Sequence, residues 1–134
     1  MREIKFRAWD KEQKVMYEVK KVDFSEQKVF CKQYYLNDWK FSEIELMQYT
    51  GLKDKNNKEI FEDDIVKIED YYENVRIGII AFDSGTYKLQ NLGQNFYYQF
   101  GSDGEYDWES IENVDEDNIE ILGNIYENPE LLDK

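Results

Sequence analysis

The stretch L-M-Q-Y-T-G-L-K-D-K-N-N-K-E-I-F-E-D-D-I-V, residues 46–66, decides the fold. Its aromatic-rich entry reaches Thr50-Gly51, a corner where glycine accepts a positive φ. A polar loop follows over residues 53–58, with Asn56-Asn57 at its tip, a pair suited to the left-handed region. Glu59-Ile60-Phe61 returns to extended backbone, and Glu62-Asp63-Asp64 leads into Ile65-Val66-Lys67-Ile68, a run of strong β propensity. Extended segments joined by turn chemistry at such short intervals describe a β module.

The flanking sequence agrees. Residues 3–9 (E-I-K-F-R-A-W) put Ile4, Phe6 and Ala8 on one face and Lys5, Arg7 and Trp9 on the other, the period of a half-buried strand. Residues 10–13 supply a polar turn and residues 15–22 a second strand, closing a first hairpin. Residues 29–36 read as a third strand, 38–41 as a turn, and 44–49 as the approach to the opening segment. Further on, residues 76–82 (R-I-G-I-I-A-F) form the most apolar run, a central strand with Gly78 at a bulge. A turn at 83–85 leads to a strand over 86–89, with Phe82 and Tyr87 on its two arms.

Residues 91–104 suit either a strand or a short helix, with Phe96, Tyr97, Tyr98 and Phe100 in one aromatic run. The acidic residues 102–115 carry Trp108 and Ile111 as anchors. A last strand spans 119–125. The ending closes in one helical turn, with Asn128 as cap and Pro129 at its first position. No repeat or low-complexity linker interrupts the chain. It reads as a single domain over residues 1–134, in one body or in two β lobes at about 1–50 and 51–134.

The 134 residues include 11 Tyr, 8 Phe and 3 Trp. The mean hydropathy of −0.83 therefore reflects charge rather than a missing core. Alanine occurs only at Ala8 and Ala81, while Val, Ile, Tyr and Phe abound, a strand composition. No run approaches the roughly 18 apolar residues of a membrane span, and no signal peptide is expected. The lone Cys31 has no intramolecular partner and sits beside Val29 and Phe30, as a small buried residue does. A cytoplasmic, reducing location is the expectation.

The net charge of −13 is unevenly placed: residues 1–67 hold 14 basic and 14 acidic side chains, residues 68–134 hold 3 and 16. Direct nucleic-acid binding is not expected, because it draws on Lys and Arg to neutralise phosphate. A basic protein partner fits the charge better. Lys5, Arg7, Lys11, Lys14, Lys20, Lys21 and Lys28 make the N-terminal hairpin locally basic. Head-to-tail self-association into a homo-oligomer is thus a second expected partnership, with a charged edge strand that resists aggregation as its alternative.

The sequence contains no His, which removes the commonest general base and every Ser-His or Cys-His dyad. There is no P-loop and no G-x-G-x-x-G, and one Cys makes no thiolate metal site. The triplets Glu62-Asp63-Asp64 and Asp115-Glu116-Asp117 could hold Mg²⁺ or Ca²⁺ only if turns make them converge, since neighbours on a strand point apart. Tyr34, Tyr35, Trp39 and Phe41, or Phe96–Phe100, could offer a stacking platform for bases or sugars, against a core or interface role. No catalytic, cofactor-binding or metal residue is assigned, and no cofactor is expected.

Three blocks carry a resemblance: R-E-I-K-F-R-A-W-D at 2–10, M-Q-Y-T-G-L-K-D-K-N-N-K-E-I-F-E-D-D-I-V at 47–66, and I-L-G-N-I-Y-E-N-P-E-L-L at 121–132. In this order they resemble the YopX family, while residues 69–118 carry little of it. One departure stands out: Asp63-Asp64 occupies a place where the family is expected to have Gly-Asp. The resemblance implies a small phage- or prophage-encoded protein with a mainly β fold of bent antiparallel sheets in partly open, barrel-like lobes. It implies no established activity, so no site residue is carried over.

The function expected is that of a non-enzymatic accessory protein that binds a macromolecule and self-associates. The alternatives are a carboxylate-based metal-dependent enzyme acting on nucleic acid, or an acidic DNA mimic that occupies a host protein.

Overall fold

Strand β5 (Ile44–Lys53) runs through the decisive segment, and the chain divides on it. It folds as two compact units, Met1–Tyr49 and Thr50–Lys134. The structure is a computed structural model that describes residues 3–31, 34–69, 75–83, 86–91, 108–110 and 115–132. The aromatic run at 96–100, the anchor at Ile111 and the turn residues Ser84-Gly85 lie outside them.

The first unit is an antiparallel sheet of β1 (Phe6–Asp10), β2 (Val15–Asp23), β3 (Lys28–Cys31), β4 (Tyr34–Lys40) and the first part of β5, in the order β4-β3-β2-β1-β5. Its core gathers Ala8, Val29, Cys31 and Ile44, with Tyr17, Val19, Val22, Trp39, Phe41 and Leu46 packed against them. Val29, fully buried, faces Trp39 across the β3–β4 pair.

The second unit contains β6 (Glu59–Phe61), which pairs with β5, and a five-stranded antiparallel sheet. That sheet comprises β7 (Asp64–Glu69), β8 (Val75–Asp83), β9 (Thr86–Asn91), β10 (Trp108–Ser110) and β11 (Ile119–Asn124), ordered β10-β9-β8-β7-β11. Ile60, Val66, Ile68, Ile80, Tyr87, Leu89 and Ile119 form its core. Both sheets are open, not closed into a barrel. Helix is confined, among the described residues, to 3-10 turns at Phe41–Glu43, Glu116–Asn118 and Pro129–Leu132.

One turn device recurs. An Asp ends the strand or directly follows it, its carboxylate accepts backbone N–H groups ahead of it, and a left-handed residue precedes the return. Asp10 Oδ1 takes the N–H groups of Glu12 and Gln13 at 2.9 and 3.0 Å, and Lys14 has φ 60°. Asp23 Oδ1 takes Glu26 N–H at 3.0 Å before Gln27 at φ 57°. Asp54 Oδ1 takes Asn56 and Lys58 N–H, both at 2.9 Å, around Asn57 at φ 67°. The carboxylate pre-forms the turn, so these hairpins need no glycine.

The central position of residues 76–82, the pairing of Phe82 with Tyr87 and the positive φ of Gly51 (89°) agree with the sequence reading. The Phe82 and Tyr87 rings meet edge to face at 5.0 Å. Five readings need correction. The expected third strand over 29–36 is two strands, because Cys31 pairs back to Tyr34. The turn expected at 38–41 is the end of β4 and a 3-10 turn, the chain reversing only at Phe41–Glu43.

Gly78 carries no bulge: it pairs in register with Val66 and with Asn91. Among the described pairs of this sheet the register shifts instead between Ile121 and Gly123 of β11. There a Cβ on Gly123 would collide with Oδ1 of Asn128 and lie 2.6 Å from its Cγ, so this glycine is needed for close approach. Asn128 holds the cap position, its carbonyl accepting Leu131 N–H at 3.0 Å, but its side-chain oxygen accepts Asn124 N–H at 3.2 Å instead of an N–H of the turn that Pro129 begins. Trp9, expected on a solvent face, is only 8% exposed, so β1 is covered on both sides at that point.

β11 is an end strand whose free edge would otherwise invite pairing with another chain. Ile121 N–H donates to Asp54 Oδ2 at 3.0 Å, and Lys55 N–H donates to the Ile119 carbonyl at 2.8 Å. With Asn128 on Asn124, the edge is blunted along its length.

Candidate functional site

A groove of about 510 Å³ opens in the first unit beside the β1–β2 turn. Tyr17 and Trp39 line it, their ring centroids 5.1 Å apart and their planes at 38°. Both residues are half-buried, so part of each reaches solvent. The indole is fixed from behind: Trp39 Nε1 donates to Asp10 Oδ2 at 3.0 Å. Asp10 is 4% exposed and also accepts the two turn N–H groups, so it is a buried anchor and not a group open to a ligand.

The rim is polar. Glu12 and Gln13 stand exposed on the turn. Lys11 Nζ lies 3.4 Å from Glu45 and donates to the carbonyl of Ser42, itself a lining residue, at 3.3 Å, so its charge is paired at the groove. Glu43 Oε1 accepts Lys40 N–H at 2.8 Å. The formal charge of the lining is negative, from Asp10, Glu12 and Glu43 against Lys11.

The sequence-derived candidates are placed as follows. Asp64 is buried and its Oδ2 accepts Phe61 N–H at 2.8 Å. Asp63 takes the left-handed conformation, φ 70°, and its Oδ2 accepts the Tyr126 hydroxyl at 3.0 Å. The turn where Gly-Asp was expected thus survives with aspartate in the glycine conformation, steadied by the tail. Asp115 accepts Asp117 N–H at 3.0 Å, and Glu116 Oε2 accepts Lys53 N–H at 2.9 Å. Both triplets serve turns. Among the described residues no three His, Cys, Asp or Glu side chains are grouped as a metal ion would require.

Of the aromatic platform, Trp39 reaches the groove, while Phe41 meets Phe24 edge to face at 6.2 Å. The basic hairpin is partly neutralised. Lys28 lies 3.1 Å from Asp38, whose hydrogen bond and charge raise the ammonium pKa. Lys5 pairs with Glu3 at 3.5 Å, and Lys21 Nζ stands 5.1 Å from the Phe30 ring centre. Cys31 is fully buried; burial, then the nearby Asp10 charge, push its thiol up to about 11. Such a thiol is a poor nucleophile at neutral pH.

Asp10 is the residue that sequence reasoning missed, taken for part of a solvated turn. The signal was present in D-K-E-Q-K, whose Asp can collect the next N–H groups. Its partnership with Trp39, 29 positions away, has no local signature.

A family model described as "YopX protein" matches residues 5–133. The chain belongs to the YopX family. Two solved structures are similar. A crystal structure of protein EF1440 from Enterococcus faecalis is 28% identical, covers 98% of this chain and 99% of its own, and has a TM-score of 0.62. The crystal structure of protein yopX from Bacillus subtilis is 20% identical, covers 95% of this chain and 96% of its own, and has a TM-score of 0.61. No curated protein matches. Neither structure's name carries an activity, so the YopX family fixes the fold and leaves the function to the residues. Among the described residues no helix is long and apolar enough to cross a membrane.

Proposed function

We propose that this YopX-family chain is a non-enzymatic accessory protein of a phage or prophage that binds a basic macromolecular partner in the cytoplasm of its bacterial host. The observation that carries the reading is charge. Residues 50–134 hold 21 acidic and 7 basic side chains, whereas residues 1–49 hold 9 and 10. A field of one sign over one unit attracts an opposite partner and speeds its encounter. In the two acidic triplets Asp64, Asp115 and Glu116 accept backbone N–H groups and Asp63 accepts the Tyr126 hydroxyl, and the thiol is buried.

Pull-down with tagged protein from lysogenic host lysate, read by mass spectrometry, is expected to enrich one protein of high isoelectric point, with retention falling as salt is raised. Enrichment of acidic proteins only, or of none, would remove the reading.

The same charge asymmetry favours head-to-tail self-association into a homo-oligomer. Light scattering on a size-exclusion column should then give a mass above 16.3 kDa that falls toward it at high salt.

A further inference from the structure

We propose that the groove beside Trp39 is a docking site for a cationic side chain, an arginine guanidinium presented by the basic partner. The inference rests on the proposed function and adds a local point of contact in residues 1–49, separate from the acidic residues 50–134 whose charge carries that reading. An aromatic lining and an acidic rim suit a planar cation, which stacks on rings and pairs with carboxylates at once. Tyr17 and Trp39 supply the rings, and Asp10 holds the indole in place with both its oxygens already engaged. Pre-organisation of this kind lowers the ordering cost of binding.

Charge selects among ligands. Glu12 and Glu43 outnumber Lys11, which is paired with Glu45, and the buried Asp10 adds its charge without offering a free oxygen. A neutral sugar could stack on the rings but would gain nothing from the acids. A phosphate or nucleic acid would be repelled. The volume of about 510 Å³ is ample for an arginine side chain with its flanking backbone. Glu12 lines the groove and is exposed, so its carboxylate is the one assigned to the guanidinium.

The test is NMR on the ¹⁵N-labelled full chain, following the Trp39 indole N–H, assigned by its loss in Trp39→Phe. The probes are acetyl-Gly-Arg-Gly-amide, the same peptide with citrulline, and cellotetraose. The arginine peptide should shift the resonance in a saturable way, with citrulline at least about fivefold weaker. Glu12→Gln should weaken arginine binding about threefold with an unchanged melting temperature, which separates a contact from a folding role. Equal response to arginine and citrulline, response to cellotetraose alone, no response, or an unaltered affinity in Glu12→Gln would each overturn the proposal. If a basic partner from lysate binds without moving the indole, this inference fails while the proposed function stands. If the peptide moves the indole and no basic partner is found, the reverse holds.

Discussion

Replacing Asp54 by alanine strips three backbone N–H groups of their acceptor at once. Oδ1 serves Asn56 and Lys58, and Oδ2 serves Ile121, 67 residues on, at the edge of β11. A hydrogen bond to a charged group contributes about 1.5–3 kcal/mol. Asn56 and Lys58 lie in an exposed loop where water can replace the carboxylate, so most of the loss falls on Ile121. The expected destabilisation is about 2–4 kcal/mol, or roughly 6–15 °C in melting temperature for a chain of this size. Asp54→Asn keeps one acceptor oxygen and presents an NH₂ group where the other stood, so about half of that is expected.

The pH dependence has a definite sign. Burial alone would raise the Asp54 pKa, but the N–H groups of Ile121, Lys58 and Asn56, with the Lys58 charge, outweigh it and hold it below the ordinary carboxylate value. The folded state therefore binds the proton less readily than the unfolded chain. The contribution is complete above pH about 4 and is lost as pH falls through the lowered value. Urea melts from pH 7 down to acid should show wild type and Asp54→Asn converging at the acid end. Native-state hydrogen exchange should show the Ile121 amide deprotected selectively in Asp54→Ala. A variant with wild-type melting temperature and an unchanged Ile121 exchange rate would refute the edge-cap argument.

Gly123→Ala should cost about 1–3 kcal/mol in a thermal melt, because the new methyl meets Asn128, and adding Asn128→Gly should recover part of it. Tyr126→Phe should cost about 1 kcal/mol through the lost bond to Asp63. Asp63→Gly should be near neutral alone, since relief of the left-handed strain offsets that lost bond, and should stabilise by about 1 kcal/mol in the Tyr126→Phe background. Lys14→Gly should stabilise by roughly 0.5–1 kcal/mol at φ 60°. Cys31 should resist thiol reagents in the native state at pH 8 and react once urea unfolds the chain; rapid native labelling would contradict its raised pKa.

Much of the fold was legible because strands and turns are written in local chemistry. The alternation at Phe6 to Ala8, the apolar run at Ile77 to Ile80, and the Gly51 and Asn57 turn positions need only near neighbours to explain them. The misreadings share a cause. Residues 29–36 looked like one strand because β propensity does not report where a chain doubles back. Gly78 looked like a bulge because glycine in a strand permits several roles, and only its partners Val66 and Asn91 show that it is regular.

By itself the sequence determined the β class, the family, the acidic charge and the lack of histidine chemistry, since each depends on composition or on residues within a few positions. The tertiary structure alone decided that Asp10 is a buried anchor for Trp39, that Asp54 caps the edge of β11, and that Asp63 holds a glycine conformation against Tyr126. Each joins residues 29 to 67 positions apart. A carboxylate reads the same in a sequence whether water or a distant N–H satisfies it. Only packing, by excluding water, turns it from a solvated charge into a fixed acceptor.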